Sequence, residues 1–123
     1  MSIKKFDYEN LDIKINIDIK ERMMRHNIEG YKTIIFSSRG IRAHPFSKEW
    51  LFKNEIKYNA FFHLGLTSLK LLPILMSIIF LKNFILIDDL SDIKDGKLVK
   101  SFIYNYVELL ANKNFFKWED PQK

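Results

Sequence analysis

The sequence contains, at residues 11–20, the stretch LDIKINIDIK, in which aliphatic and polar residues alternate strictly. A period of two places the aliphatic side chains on one face of an extended chain and the polar ones on the other. A sheet with one solvated face is typically antiparallel. The stretch therefore predicts a β-strand at 11–19 that forms part of an N-terminal antiparallel ribbon.

A second strand is predicted at Tyr31–Ser37, which follows Gly30 and is rich in Ile, Thr and Phe. Residues 37–48 contain serines, a glycine and a proline, and they predict a loop. From Ser47 onward the spacing of apolar residues becomes helical, with Gly65 as a candidate helix end. The expected ribbon is thus followed by helices.

The rest of the chain favours about three helices. Residues 66–87 are almost continuously apolar and predict a central, largely buried helix, and residues 98–110 show a clear amphipathic pattern. Strands followed by helices predict an α+β fold. We expect a single domain over 1–123, with strands mainly within 1–40, helices mainly within 48–113 and a short polar tail at 117–123.

The apolar stretch raises the question of a membrane span. Residues 64–81 carry a single charge, Lys70, and Pro73 interrupts them. A charge near the centre of a span costs about 2.5–3.5 kcal/mol on insertion scales, and a proline leaves a backbone group to be satisfied. The sequence favours a buried helix over a membrane span.

The net charge is concentrated in one segment. Residues 20–48 carry seven basic and two acidic residues, and their net charge of +5 equals that of the whole chain. The segment holds all four arginines, in a chain that otherwise uses lysine, and two of the three histidines. A guanidinium presents a planar fork of donors that fits a carboxylate or a phosphate. We expect the partner-binding residues to be Arg22, Arg25, His26, Arg39, Arg42, His44 and Lys48.

Two alternatives stay open for this basic segment. It can be a solvated edge that discourages aggregation between strands. It can also form two patches, at 22–26 and 39–44, because a strand of about 20 Å separates them if the ribbon forms.

Several kinds of chemistry are excluded by composition. The chain has no cysteine, which rules out disulfides, a thiol nucleophile and cysteine-ligated metals. It has no glycine-rich phosphate loop, and its three histidines lack metal-ligand spacing. We expect no catalytic residue, cofactor or metal. The first residues lack the order of a secretory signal, so a cytoplasmic location is expected.

Arg39 and His44 form an R-x4-H spacing that resembles the ribonuclease motif of HEPN domains. The resemblance covers six residues and implies that the arginine holds phosphate while the histidine moves a proton. Those domains are all-helical, whereas the alternation at 11–20 indicates a strand. A metal-free ribonuclease that uses a histidine with Arg39 or Arg42 is retained as an alternative function.

The codon types implied by many Lys, Ile and Asn residues indicate an A/T-rich genome, bacterial or viral. We predict a small non-enzymatic protein-binding module, of the inhibitor or immunity type found in bacteria and phages. It would neutralise a toxin or effector by covering an acidic surface with its arginines. Alternatives are a nucleic-acid-binding protein, a membrane-associated protein and the ribonuclease, and the oligomeric state stays open.

Overall fold

A computed structural model describes residues 14–81, 83–88, 90–100, 103–111 and 116–119. The chain divides into two compact units, Met1–Gly65 and Leu66–Lys123, here called unit 1 and unit 2. Unit 1 contains, in chain order, α1 (Ile17–Ile28), β1 (Ile34–Ser37), a 3₁₀ helix (Ile41–Ala43), α2 (His44–Lys53) and β2 (Ala60–His63). Unit 2 contains a 3₁₀ helix (Thr67–Lys70), α3 (Leu71–Phe80), β3 (Ile85–Ile87), β4 (Ser91–Lys94), β5 (Lys97–Lys100), α4 (Ile103–Ala111) and β6 (Lys117–Glu119).

The sheet of unit 1 is parallel. β1 and β2 pair in register, with Ile34 opposite Ala60 and Ser37 opposite His63, and α2 forms the crossover between them. Parallel strands require such a crossover, because a tight turn cannot return the chain to the same end of the sheet. Phe36 stacks on Phe62 across this pair, with ring centroids 5.5 Å apart.

The predicted N-terminal antiparallel ribbon is wrong, because residues 17–28 form α1 rather than a strand. The Asn16 side chain caps the helix by accepting a hydrogen bond of 3.2 Å from the Ile19 backbone N–H. Asp18 lies in the first turn and Arg25 in the last, where each charge suits the helix dipole. These end effects outweigh the alternation of isoleucines; residues 11–13 of the predicted strand lie outside the described residues.

The helix after β1 begins earlier than predicted. α2 starts at His44 with Pro45 in its first turn, where the missing proline N–H would have no helical partner in any case. It ends at Lys53, and Glu55 then takes a positive φ of 57°. Gly65 therefore follows β2 instead of closing this helix.

Unit 2 contains one parallel pair and one hairpin. β3 pairs with β6 in parallel, and β4 pairs with β5 in antiparallel. The hairpin turns at Asp95 and Gly96, whose φ values of 53° and 74° are those of a two-residue turn that matches strand twist. Residues 97–100 are consequently a strand, and the predicted helix at 98–110 begins only at Ile103.

Among the described residues, the core of unit 2 has the buried members Ile74, Leu90, Ile103, Val107 and Phe116. The prediction of a largely buried central helix is wrong, because Ile74 is the one residue of α3 that is buried, while Ile79 and Phe80 are 70% and 74% exposed. Among the described residues, no helix combines the length and the apolar character that crossing a membrane requires.

An ion pair fixes the chain at the start of α3. Lys70 Nζ lies 3.0 Å from Asp88 Oδ2, with both side chains less than a fifth exposed. The other carboxylate oxygen of Asp88 accepts a hydrogen bond of 2.7 Å from the Leu90 backbone N–H. This pairing accounts for the one charge within the apolar stretch.

The described chain is thus α+β, with four α-helices instead of the expected three or so. Its strands are distributed through both units and do not precede the helices. Two of the three strand pairs are parallel, which the one-sided pattern at 11–20 did not predict.

Candidate functional site

The carboxyl ends of β1 and β2 bring distant polar residues together in unit 1. The Leu64 N–H donates to the Ser37 carbonyl at 2.7 Å, and the Gly65 N–H donates to the Arg39 carbonyl at 3.1 Å. Gly65 takes a φ of 83°, a conformation that favours glycine. In open parallel sheets, ligands bind outside this end of the strands. The loop from Ser37 to Gly40 is therefore held against the chain that leaves β2.

Two histidines meet at this end of the sheet. His63 is the last residue of β2, and His44 is the first residue of α2. Their ring centroids are 5.1 Å apart and their planes are nearly perpendicular. The strand pairing thus joins two histidines that are far apart in sequence.

Phe61 completes the packing around the two imidazoles. It lies two residues before His63, on the same face of β2, and the two ring centroids are 4.6 Å apart. The centroid of the His44 ring lies 5.5 Å from that of Phe61, and the Tyr58 ring packs edge-on against Phe61 at 5.9 Å. We call Arg39, His44, Phe61 and His63 the histidine cluster.

Ring nitrogens in this cluster lack hydrogen-bond partners. Nδ1 and Nε2 of His63 and Nδ1 of His44 are each buried, with no partner within hydrogen-bond geometry among the described residues. A buried polar atom without a partner costs about 1–3 kcal/mol, and such atoms call for an explanation in a native structure. The cluster therefore holds three buried imidazole nitrogens whose hydrogen bonds are not made within the described residues.

The environment keeps His63 neutral. Burial lowers the pKa of His63 below its usual 6.5, and repulsion from His44 and from the Arg39 guanidinium lowers it further. The Arg39 backbone carbonyl opposes the shift, although neither ring nitrogen reaches hydrogen-bond geometry with it. At neutral pH the cluster therefore carries an arginine charge beside an uncharged His63.

The structure separates the seven predicted site residues into two groups. Arg22, Arg25 and His26 lie on α1, whereas Arg39, Arg42, His44 and Lys48 lie in the loop after β1, the 3₁₀ helix and α2. His26 Nδ1 is 2.7 Å from Glu29 Oε1 at the end of α1, and its ring packs edge-on against Tyr31. Arg39, Arg42 and Lys48 are exposed.

His63 is the residue that the sequence did not assign to the site. In the sequence it follows Phe61 and Phe62 and lies outside the basic segment, which is the pattern of a packed histidine. The strand–helix–strand spacing from residue 34 to residue 63 was the available signal, because parallel strands end on the same edge.

The residue types required for metal-free RNA cleavage meet in this cluster, since it holds two imidazoles and a guanidinium. Three of the four imidazole nitrogens are buried, however, so they do not face a substrate. Among the described residues, no group of three or more His, Cys, Asp or Glu side chains is arranged to hold a metal ion.

Comparisons of the chain with protein-family models, with curated proteins and with solved structures found no match.

Proposed function

We propose that the protein is a non-enzymatic binding module that covers an acidic patch on a partner protein. The contact surface is formed by Arg39, Arg42 and Lys48, which we call the basic loop surface. In this mode of action, a basic surface blocks the functional surface of a toxin or effector. An inhibitor or immunity-type role in the cytoplasm fits it.

The observation that carries the proposal is that these arginines are exposed and uncompensated. Arg39 and Arg42 are solvent-exposed, and neither forms an ion pair with a described residue. By contrast, His26 on α1 already faces the carboxylate of Glu29. Unpaired arginines at an edge steer an acidic partner and form bidentate contacts with its carboxylates.

The backbone beneath Arg39 is held in place. Its N–H donates to the Ser37 hydroxyl at 3.2 Å, and its carbonyl accepts from Gly65. A side chain presented from a fixed backbone loses less conformational entropy when it binds. This favours recognition of a defined surface.

The aromatic residues of the basic segment argue against the nucleic-acid alternative. Base stacking requires exposed aromatic faces, but Tyr31, Phe36 and Phe46 are each only partly exposed. Tyr31 packs with His26, and Phe36 stacks with Phe62. The geometry thus supports contact with carboxylates of a protein better than stacking with bases.

The test compares capture of a partner by three forms of the full-length chain. The wild type, the R39E/R42E variant and the K14E/K57E variant are used as baits in a lysate of the source organism. Lys14 and Lys57 are exposed lysines of unit 1, so the control makes the same change in net charge elsewhere on that unit. Circular dichroism checks that all three fold.

We expect a 1:1 complex with the wild type and the control, and a loss of affinity of about tenfold or more for R39E/R42E. Equal binding by R39E/R42E would contradict the proposal. Captured material that nuclease removes, with binding that weakens steeply from about 50 to 200 mM salt, would instead identify a nucleic-acid-binding protein.

A further inference from the structure

The histidine cluster shares Arg39 with the basic loop surface. Arg39 is exposed, whereas His44 and His63 are half-buried and hold buried nitrogens that have no hydrogen-bond partner among the described residues. The Arg39 carbonyl accepts a hydrogen bond from the Gly65 N–H, two residues beyond His63, and the Arg39 charge lowers the pKa of His63. An event at Arg39 therefore changes the electrostatic surroundings of His63.

We propose that the histidine cluster is an oxyanion site at which Arg39 holds a carboxylate and the His44–His63 pair takes up a proton as the anion binds. The inference rests on the proposed function and names the chemical group that this surface receives, a carboxylate of the partner's acidic patch. The proton comes from solvent.

The coupling follows from the charges that face the imidazoles. The two rings contact each other and the uncharged Phe61, and the charges that act on His63 are those of His44 and Arg39. In the free protein, the positive charge of Arg39 disfavours a proton on His63, and no carboxylate is among the groups that act on the pKa of this ring. A bound carboxylate cancels the guanidinium charge and supplies negative charge, so it favours the imidazolium form.

Thermodynamic linkage then fixes the sign. A ligand that raises the pKa of a group binds more tightly where that group is protonated. Affinity for an oxyanion at this site therefore increases as the pH falls through the region in which the histidines titrate. Each unit by which the pKa rises corresponds to about a tenfold gain at acidic pH.

The test is an NMR titration of the three histidine rings in the full chain. The probes are sulfate, whose charge is constant over the range, and a hexa-aspartate peptide, which offers carboxylates. Sodium chloride at matched ionic strength is the blank. His26 is the internal control, because it faces Glu29 on another element.

We expect both probes to raise the titration midpoint of His63 or His44 by about half a unit or more, equivalent to roughly threefold tighter binding at acidic pH. The R39Q variant should lose this response, and the His26 midpoint should not follow it. Equal shifts at all three rings, or none at His44 and His63, would overturn the proposal.

A response to sulfate without a response to hexa-aspartate would overturn the assignment to a carboxylate and identify a site for tetrahedral anions. The outcome is separable from that of the capture experiment. A protein partner lost on R39E/R42E substitution, with no histidine response to either probe, would leave the binding function standing without proton coupling.

Discussion

His63 links the stability of unit 1 to pH. The folded chain holds this ring neutral, because burial lowers its pKa, whereas the unfolded chain titrates near 6.5. Between the two pKa values the unfolded state binds more protons. The contribution of His63 to the free energy of unfolding is therefore fully present above about pH 6.5. It decreases as the pH drops through that value and becomes constant below the folded-state pKa.

The H63L variant tests this link. Leucine is of similar size, cannot titrate and removes the two ring nitrogens of His63 that have no partner among the described residues. We expect its free energy of unfolding to vary less than that of the wild type from about pH 7.5 to 5, where histidines titrate. Urea titrations at several pH values measure it, and a variant that keeps the wild-type slope would show that another group is responsible.

At this scale, what the sequence predicts is the chemistry of individual side chains. The concentration of arginines in residues 20–48 predicted Arg39 and Arg42 as binding residues, and both side chains are exposed. It did not predict that His63 faces His44, because that contact depends on the register of two strands that lie 26 residues apart.

At the scale of elements, the 3₁₀ turn before α3 is tied to the end of β3 by the Lys70–Asp88 ion pair. The two charges are mostly removed from water, so breaking one leaves the other without compensation. The pair also orders the chain into Leu90, whose φ of 51° is strained for a side chain that is fully buried.

The D88N variant removes the charge and keeps an oxygen that accepts from the Leu90 N–H. We expect a loss of about 1–2 kcal/mol in the free energy of unfolding, between the values for surface and buried pairs. Chemical denaturation measures it. The K70M/D88N double variant is the matched control and should recover most of the loss; a double variant as unstable as D88N would show that the carboxylate acts without Lys70.

Strong local signals were not sufficient to predict the kind of element. The hairpin turn at Asp95 and Gly96 has the residue types that its positive φ values require, yet the pattern after it was interpreted as helix from residue 98. At α1, the alternation of isoleucines indicated a strand, whereas capping by Asn16 and the charges at the two helix ends favour a helix. Periodicity over a few residues does not show which of these competing effects contributes more to the stability of the element.

At the scale of the whole molecule, histidine is confined to one of the two units. All three histidines lie in unit 1, and residues 66–123 contain none. Side chains whose ordinary pKa lies between about 5.5 and 7.5 are therefore restricted to unit 1. Mild acid should act on one unit only.

Single-tryptophan variants separate the two responses. Trp50 reports on unit 1 in W118F, and Trp118 reports on unit 2 in W50F. Between about pH 7.5 and 5.5, we expect the emission of Trp50 to change while that of Trp118 stays constant. Parallel changes of both emissions would contradict a response confined to unit 1.

The parallel pairings also set an order of events during folding. The β4–β5 hairpin closes over a two-residue turn. By contrast, the parallel pairs join residues that are distant in sequence, Ile34 with Ala60 and Ile85 with Lys117. Pairing of strands that are distant in sequence loses chain entropy before any contact compensates for it, so it is slower than closure of a short turn. The hairpin is thus the element of unit 2 that forms first. In unit 1, the edge at which His44 contacts His63 forms late, because α2 must first place β2 beside β1.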